Sequence, residues 1–288
     1  EAVIEEPADG ASLTARYADE AIHFIDSVPV DRPFLCYVGF TMPHYPVTPE
    51  PAFAGKSDAG PYGDVCEAID HHVGRMRTHL EQTGRSENTI FVFTSDHGPW
   101  FEGSTGGARG RKFETWDGGT RVPFLISWPK RILASQVIAS PMATIDLLPT
   151  LCRLLDVEPD PDRPFDGEDI LPTLTGTKPP SQHGPVWYFD GYALNAVRHG
   201  RWKLHRRRQT WGAERFAQMS LPQLFDLDRD RDESYDLSDR YPEIVHELTE
   251  LMERFEASLD LSDDDRRRWW VAGDVHLLDA DEAALVQD

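Results

Sequence analysis

The sequence predicts an α/β fold: a mainly parallel central sheet flanked by helices, followed by a small C-terminal antiparallel sheet plus one helix. Apolar runs of strand length at residues 33–40, 89–93 and 122–128 alternate with stretches of helical periodicity, the order that builds a parallel sheet through helical crossovers. From about residue 180 the pattern changes to short β-like pieces parted by turns. A hydrophobic content of 40% with 8 Trp, 14 Phe and 8 Tyr in 288 residues is ample for a packed core. The expected division is an α/β part over residues 1–178, an antiparallel α+β subdomain over 179–262, and an acidic tail over 263–288.

Taken in order, Ser12 is placed to cap a helix whose apolar positions Leu13, Tyr17, Ala21, Phe24, Ile25 and Val28 recur at helical spacing before Pro29 ends it. Residues 33–40, Pro-Phe-Leu-Cys-Tyr-Val-Gly-Phe, read as a continuous apolar strand buried on both faces. Four prolines between Thr41 and Pro51 then exclude helix and central strand alike. A long helix follows through Val65, Ile69, Val73, Met76 and Leu80, with Gly84 as its C-terminal cap. The 89–93 strand opens at Asp96 onto a glycine-rich loop, and residues 122–128 form the next strand. Residues 144–155 make a helix through Ile145, Leu148, Leu151 and Leu155. Short strands at 186–189, 196–198, 202–204 and 224–227 form the small sheet. A helix from Pro242 presents Ile244, Leu248, Leu251, Met252, Phe255 and Leu259 on one face.

The 29 Lys and Arg against 50 Asp and Glu leave a formal charge of −21, which argues against a nucleic-acid or anionic-membrane partner. An anionic ligand would therefore need a local basic site. Cys36, Cys66 and Cys152 are too few and too scattered for a disulfide framework or a zinc site. No apolar stretch reaches about 18 residues, so no membrane span is expected. No signal peptide is recognisable either, and Glu1 is not an initiator methionine. Oligomeric state is left open.

Asp96 and His97 stand at the carboxyl end of an apolar strand, where open α/β sheets expose their chemistry. The carboxylate suits Ca²⁺ or Mg²⁺, with the imidazole as a further donor; the plain alternative is a strand-end turn with a satisfied histidine. Residues 103–112 place Arg109, Arg111 and Lys112 among glycines. Such a cluster is either a solvated basic loop or an anion site, and Lys112 is a compact charge suited to a sulfate or phosphate oxygen. His44 sits in the proline-stiffened loop, where it serves as a turn histidine or as a donor to an anionic or leaving oxygen. His71 and His72 read as a solvated helix face, as do the runs at 206–208 and 266–268. Residues 127–131 have a Ser-x-Pro-x-Arg skeleton but lie at the tail of a strand. Residues 226–232 lack the glycine and glutamate that an EF-hand loop needs.

An ordered series of segments runs along nearly the whole chain. It begins at Tyr17-Ala-Asp-Glu-Ala-Ile-His-Phe-Ile and continues through Arg32-Pro-Phe-Leu-Cys-Tyr-Val-Gly-Phe-Thr-Met-Pro-His44, Asn88-Thr-Ile-Phe-Val-Phe-Thr-Ser-Asp-His-Gly98 and Lys112 to Pro123. Ile145-Asp-Leu-Leu-Pro-Thr-Leu, Asp166-Gly-Glu-Asp-Ile-Leu-Pro-Thr-Leu, Gly200-Arg-Trp-Lys-Leu and Leu224-Phe-Asp-Leu follow. The series resembles the C-terminal two-thirds of a type I sulfatase of the alkaline-phosphatase superfamily. The resemblance implies an alkaline-phosphatase-like fold, with residues 1–178 the C-terminal part of the catalytic domain. It further implies hydrolysis of a sulfuric ester, either a sulfated carbohydrate or an aryl sulfate.

Carried over residue by residue, the resemblance makes Asp96 and His97 ligands of Ca²⁺, with Mg²⁺ or Mn²⁺ as alternatives. It makes His44 and Lys112 contacts to the sulfate, with His44 also the proton donor to the leaving oxygen, and Arg121 structural near the site. The family's nucleophile is a formylglycine made from Cys/Ser-x-Pro-x-Arg. None of Cys36, Cys66 or Cys152 lies in that motif, and the early Asp-Asp pair and Gly-Lys-x-x-His segment are absent too. The resemblance places all three upstream of this chain, so the sequence reads as N-terminally truncated or as a degenerate homologue. The alternatives are a phosphonate or phosphate ester hydrolase of the same superfamily, or a non-catalytic sulfated-glycan-binding remnant. By family resemblance the location is periplasmic or extracellular, with cytoplasmic as the alternative.

Overall fold

The structure, a computed structural model, describes residue 3 and residues 5–158, 160–163, 165–177, 183–191, 193–206 and 220–259. The expected acidic tail at 263–288 and the 266–268 arginines lie outside these. The chain divides into two compact units, Glu1–Val92 with Leu125–Ala134, and Phe93–Phe124 with the chain from Ser135 onward.

In the first unit, a 3-10 turn at Gly10–Ser12 leads into α1, Leu13–Ser27. Ser12 does not cap the helix through its side chain; its hydroxyl donates instead to the Asp9 carbonyl at 2.9 Å. The buried stripe of α1 is Thr14, Ala18, Ala21 and Ile25, while Phe24 is exposed. The inward face is thus turned from the expected one. Small residues govern the contact: Ala18 and Ala21 pack on Met76 of α2, Gly60–Gln82, and the aromatic positions are left at its margin. The end of α2 is as predicted. Gly84 has φ +68°, its N–H donates to the Glu81 carbonyl and the Arg85 N–H to the Leu80 carbonyl, a left-handed cap that glycine adopts without strain.

Two further expectations in this unit fail. His72 is buried, not solvated. Its Nε2–H donates to both Glu50 carboxylate oxygens (2.9 and 3.1 Å), while Nδ1 accepts from Arg75 at 3.0 Å; a guanidinium only donates, which fixes this tautomer. Residues 33–40 form no ladder. The segment alternates instead: Cys36, Val38 and Phe40 pack on the α1–α2 core, whereas Leu35 and Tyr37 are 80% and 92% exposed. Extended backbone presents successive side chains to opposite faces, and here only one face is covered. Strands β1, Phe91–Thr94, and β2, Phe124–Ser127, pair in a two-stranded sheet.

In the second unit, β3 (Val186–Asp190), β4 (Ala193–His199), β5 (Trp202–His205) and β6 (Gln223–Asp226) form an antiparallel sheet in sequence order. This matches the small sheet expected from the sequence. Strand alternation divides its side chains between two faces. Leu194, Val197, Leu204 and Leu224 pack with Leu248 and Met252 of the C-terminal helix α6, Pro242–Ser258. Truncating a side chain this buried, such as Met252, would cost about 2–5 kcal/mol. The other face carries Lys203, His205 and Phe225. Arg206 is not solvated as expected: it pairs with Glu256 of α6.

Three short helices complete the second unit: α3 (Asp117–Thr120), α4 (Leu147–Leu154) and α5 (Leu171–Leu174). Around α4 the expected apolar stripe is largely outside, with Ile145, Leu148 and Leu155 exposed. Polar bonds set the orientation instead. The buried Asp146 carboxylate accepts from the Ala143 amide (2.7 Å), the Glu168 amide (2.9 Å) and His183 Nε2 (2.8 Å). The Thr150 hydroxyl accepts from the Ile170 amide at 3.0 Å.

Candidate functional site

Asp96 and His97 follow β1 after one residue, Ser95. The Asp96 side chain is 77% exposed; its Oδ1 accepts from the His97 amide at 2.9 Å and from the Ser95 hydroxyl at 3.2 Å. His97 Nδ1 donates to the Gly98 carbonyl at 2.8 Å, an orientation that turns Nε2 to Asp96 Oδ2, 3.1 Å away. This sets a ring nitrogen and a carboxylate oxygen side by side, both of them groups that ligate divalent cations.

The residues after His97 fold into a glycine knot. Gly98 N–H donates to the Gly119 carbonyl at 2.8 Å, Gly118 N–H to the Arg109 carbonyl at 2.6 Å, and Lys112 N–H to the Pro99 carbonyl at 3.1 Å. A Cβ on Gly98 would lie 2.0 Å from the Gly118 carbonyl oxygen, and one on Gly119 2.1 Å from that of Glu114. Such approaches exclude any side chain, so the glycines here are demanded by backbone contact.

The three loop cations do not share one role. Arg109 donates to the Glu233 carbonyl at 2.9 Å and lies 3.9 Å over the Trp116 ring. Arg111 donates to the carbonyls of Trp100 (2.9 Å) and Gly103 (3.0 Å). Both hold the knot closed. Lys112 Nζ lies 5.2 Å over Phe113, a non-glycine residue at φ +74°. A backbone held in that region costs of order 1–3 kcal/mol and is a feature of functional sites. The structure thus brings Asp96, His97 and Lys112 onto one knot in the second unit. Arg121 follows it, its amide donating to the Asp117 carbonyl at 2.7 Å.

His44 belongs to the first unit. It is exposed, and its Nδ1 donates to the Tyr45 carbonyl at 2.6 Å while its amide donates to the Thr41 carbonyl.

Beneath the knot lies a buried charge cluster that the sequence reading did not single out. Lys203 Nζ on β5 is 2.8 Å from Asp117 Oδ1 and 3.0 Å from Glu233 Oε1. Glu233 Oε2 accepts from the Asp117 amide at 2.7 Å, and Oε1 lies 2.9 Å from His205 Nε2. Burial alone would push the Lys203 ammonium down, but the Tyr188, Glu233 and Asp117 oxygens hold it above its usual range. Burial likewise pushes the Glu233 carboxyl up; Lys203 and the donors around it overcome this and hold it at about 2. His205 is pushed down to about 4, chiefly by burial, so its Nε2–H donates from a neutral ring. The available signal was Gly200-Arg-Trp-Lys-Leu, which puts a lysine at an inward position of a strand.

As a metal centre, the Asp96 oxygen and His97 nitrogen are donors of the right chemistry for a divalent cation. Among the described residues, no group of three or more His, Cys, Asp or Glu converges to complete a shell. Cys36, Cys66 and Cys152 are free thiols. Ser127, at the end of β2, belongs to the strand, as the sequence suggested.

A carboxylate, an imidazole and a lysine thus stand together on the loop after β1, residue types suited to cations and anions. Comparison with known proteins gives the family. The family model described as Sulfatase matches residues 4–157, and that for the C-terminal region of aryl-sulfatase matches residues 181–272. The chain belongs to the sulfatase family, within the alkaline-phosphatase superfamily. It is 37% identical to the steryl-sulfatase of Mus musculus over 231 residues, covering 77% of this chain and 36% of that protein. It is 33% identical to the mouse N-acetylgalactosamine-6-sulfatase over 280 residues, covering 86% of this chain and 54% of that protein. A solved structure from work on glycosaminoglycan metabolism by Bacteroides thetaiotaomicron superposes with a TM-score of 0.77 at 28% identity, covering 87% of this chain and 55% of that one. The chain therefore spans roughly a third to a half of these relatives. Among the described residues no helix is long and apolar enough to cross a membrane.

Proposed function

We propose that this chain carries the metal-and-anion side of a sulfuric ester hydrolase, with Asp96 and His97 holding a divalent cation and His44 and Lys112 contacting the sulfate. The carrying observation is that the Asp96–His97 pair and Lys112 are fixed on one backbone knot, through Gly98 to Gly119 and Lys112 to Pro99. Calcium is the ion that the oxygen donor favours; bound there, it would polarise the sulfate and offset its charge. Lys112 would hold a sulfate oxygen by charge, against the chain's overall −21. His44, oriented by its bond to the Tyr45 carbonyl, would donate the proton that the leaving alcohol needs. Similarity to a steryl-sulfatase and an N-acetylgalactosamine-6-sulfatase supports a sulfated sterol or carbohydrate as substrate.

None of the three cysteines lies in the Cys/Ser-x-Pro-x-Arg motif that furnishes the family's nucleophile. The 288 residues alone should therefore leave p-nitrophenyl sulfate intact in the presence of Ca²⁺, and the whole protein should hydrolyse it. p-Nitrophenyl phenylphosphonate hydrolysed faster than the sulfate would favour the phosphonate esterase instead. Turnover by the 288-residue chain, abolished by His44→Ala, would place the nucleophile among these residues and contradict the assignment.

A further inference from the structure

We infer that Lys203 and Glu233, from the C-terminal sheet and the loop after it, are positioning residues for the Asp96–His97–Lys112 segment and act on it through Asp117. The part of this inference that concerns catalysis rests on the sulfatase reading; the mechanical part does not.

Asp117 is gripped at two points. Its carboxylate receives Lys203 Nζ at 2.8 Å, and its amide donates to Glu233 Oε2 at 2.7 Å. All three side chains are buried, with Lys203 and Glu233 at 0% exposure, so the bonds are not exchanged for water and their geometry is set by the surrounding protein. Asp117 begins the turn that contains Gly118 and Gly119, and the Gly119 carbonyl receives the amide of Gly98, the residue after His97. The coupling has no slack. A Cβ on Gly118 would stand 2.4 Å from the Gly110 carbonyl oxygen, and one on Gly98 2.0 Å from that of Gly118. Backbone packed this closely transmits displacement. A second route reaches Lys112: Arg109 bonds the Glu233 carbonyl while its own carbonyl receives Gly118, three residues before Lys112. His205 completes the cradle, holding Glu233 Oε1 at 2.9 Å and stacking 3.9 Å from the Trp116 ring centre.

A purely structural cluster would stabilise the second unit as a whole. A positioning cluster affects the knot first, and the two differ in hydrogen exchange. Glu233→Gln and Asp117→Asn keep side-chain shape while removing a charge. In the 288-residue chain, each should speed exchange of the Gly98, Lys112 and Gly118 amides at least about tenfold more than that of the β4 and α6 amides. In the whole protein, each should lower kcat for p-nitrophenyl sulfate about tenfold or more with KM within about twofold. Equal acceleration throughout the second unit, no acceleration at the knot, or failure of both variants to fold would overturn the inference. Absence of turnover in the unsubstituted whole protein would count against the sulfatase reading alone, because the exchange measurement still decides the positioning role.

Discussion

Lys203 Nζ lies 2.8 Å from Asp117 Oδ1 with the lysine fully buried, so an ammonium sits in the interior of a chain of net charge −21. Burying a charge is tolerated only with partners in place, and removing one partner costs more than the pair contributes. Lys203→Met would leave Asp117 and Glu233 buried together without their cation. The expected loss is about 3–5 kcal/mol, read as a drop in the urea midpoint of the second unit's transition. A loss below about 1 kcal/mol, the range of exposed pairs, would show the cluster to be solvated.

The titrating groups give stability a defined pH profile. His205 falls from 6.5 to about 4 on folding, chiefly through burial. The unfolded chain therefore takes up the proton first, and the contribution present above pH 6.5 is lost as pH falls toward 4. Glu233, lowered from 4.5 to about 2, acts in the same direction, its contribution present above pH 4.5 and lost as pH falls through about 2. His183 is the opposite case. Its bond to Asp146 raises it from 6.5 to about 9, so its contribution is whole below pH 6.5 and lost as pH rises through 9. Thermal stability should peak near pH 6.5, and His183→Gln should flatten the alkaline limb. Burial raises the Asp146 carboxyl, but His183 and two amides hold it below its usual range, so the variant should lose part of the acid limb as well. An alkaline limb unchanged in that variant would contradict the assignment.

Lys112→Ala in the whole protein should lower kcat/KM by about 3–4 kcal/mol, the scale for loss of one preorganised donor. Lys112 sits in a turn of the loop and outside the apolar core, so the thermal midpoint should hardly move. A large fall in midpoint with activity per folded molecule intact would make Lys112 a structural residue.

The C-terminal sheet and α6 were legible because each apolar stripe there has one partner and period decides which face is buried. Val197, Leu204 and Leu224 against Leu248 and Met252 are what alternation and helical spacing demand. The grouping of Asp96, His97 and Lys112 on one loop after a strand was legible, because a glycine-rich stretch between two apolar runs can only be the connection between them. Periodicity failed where something other than apolar area sets orientation. Small residues turned α1 so that Phe24 faces out, and the Asp146 hydrogen bonds turned α4 so that Leu148 does. His72 and Lys203 were misread or missed because their partners, Glu50 and Glu233, lie 22 and 30 residues away. Local composition carries no trace of such a pairing.

The central claim, that Asp96 belongs to a metal and sulfate site, is tested most directly by Asp96→Asn in the whole protein, assayed with p-nitrophenyl sulfate with and without a calcium chelator. Asp96 is exposed and contributes to no buried pair, so folding should be unaffected. The substitution and the chelator should each reduce turnover by about a hundredfold or more, the scale of losing a transition-state charge stabiliser. Combined, they should cost little beyond either alone. Turnover retained by Asp96→Asn, or a chelator effect that is undiminished in that variant, would contradict the assignment.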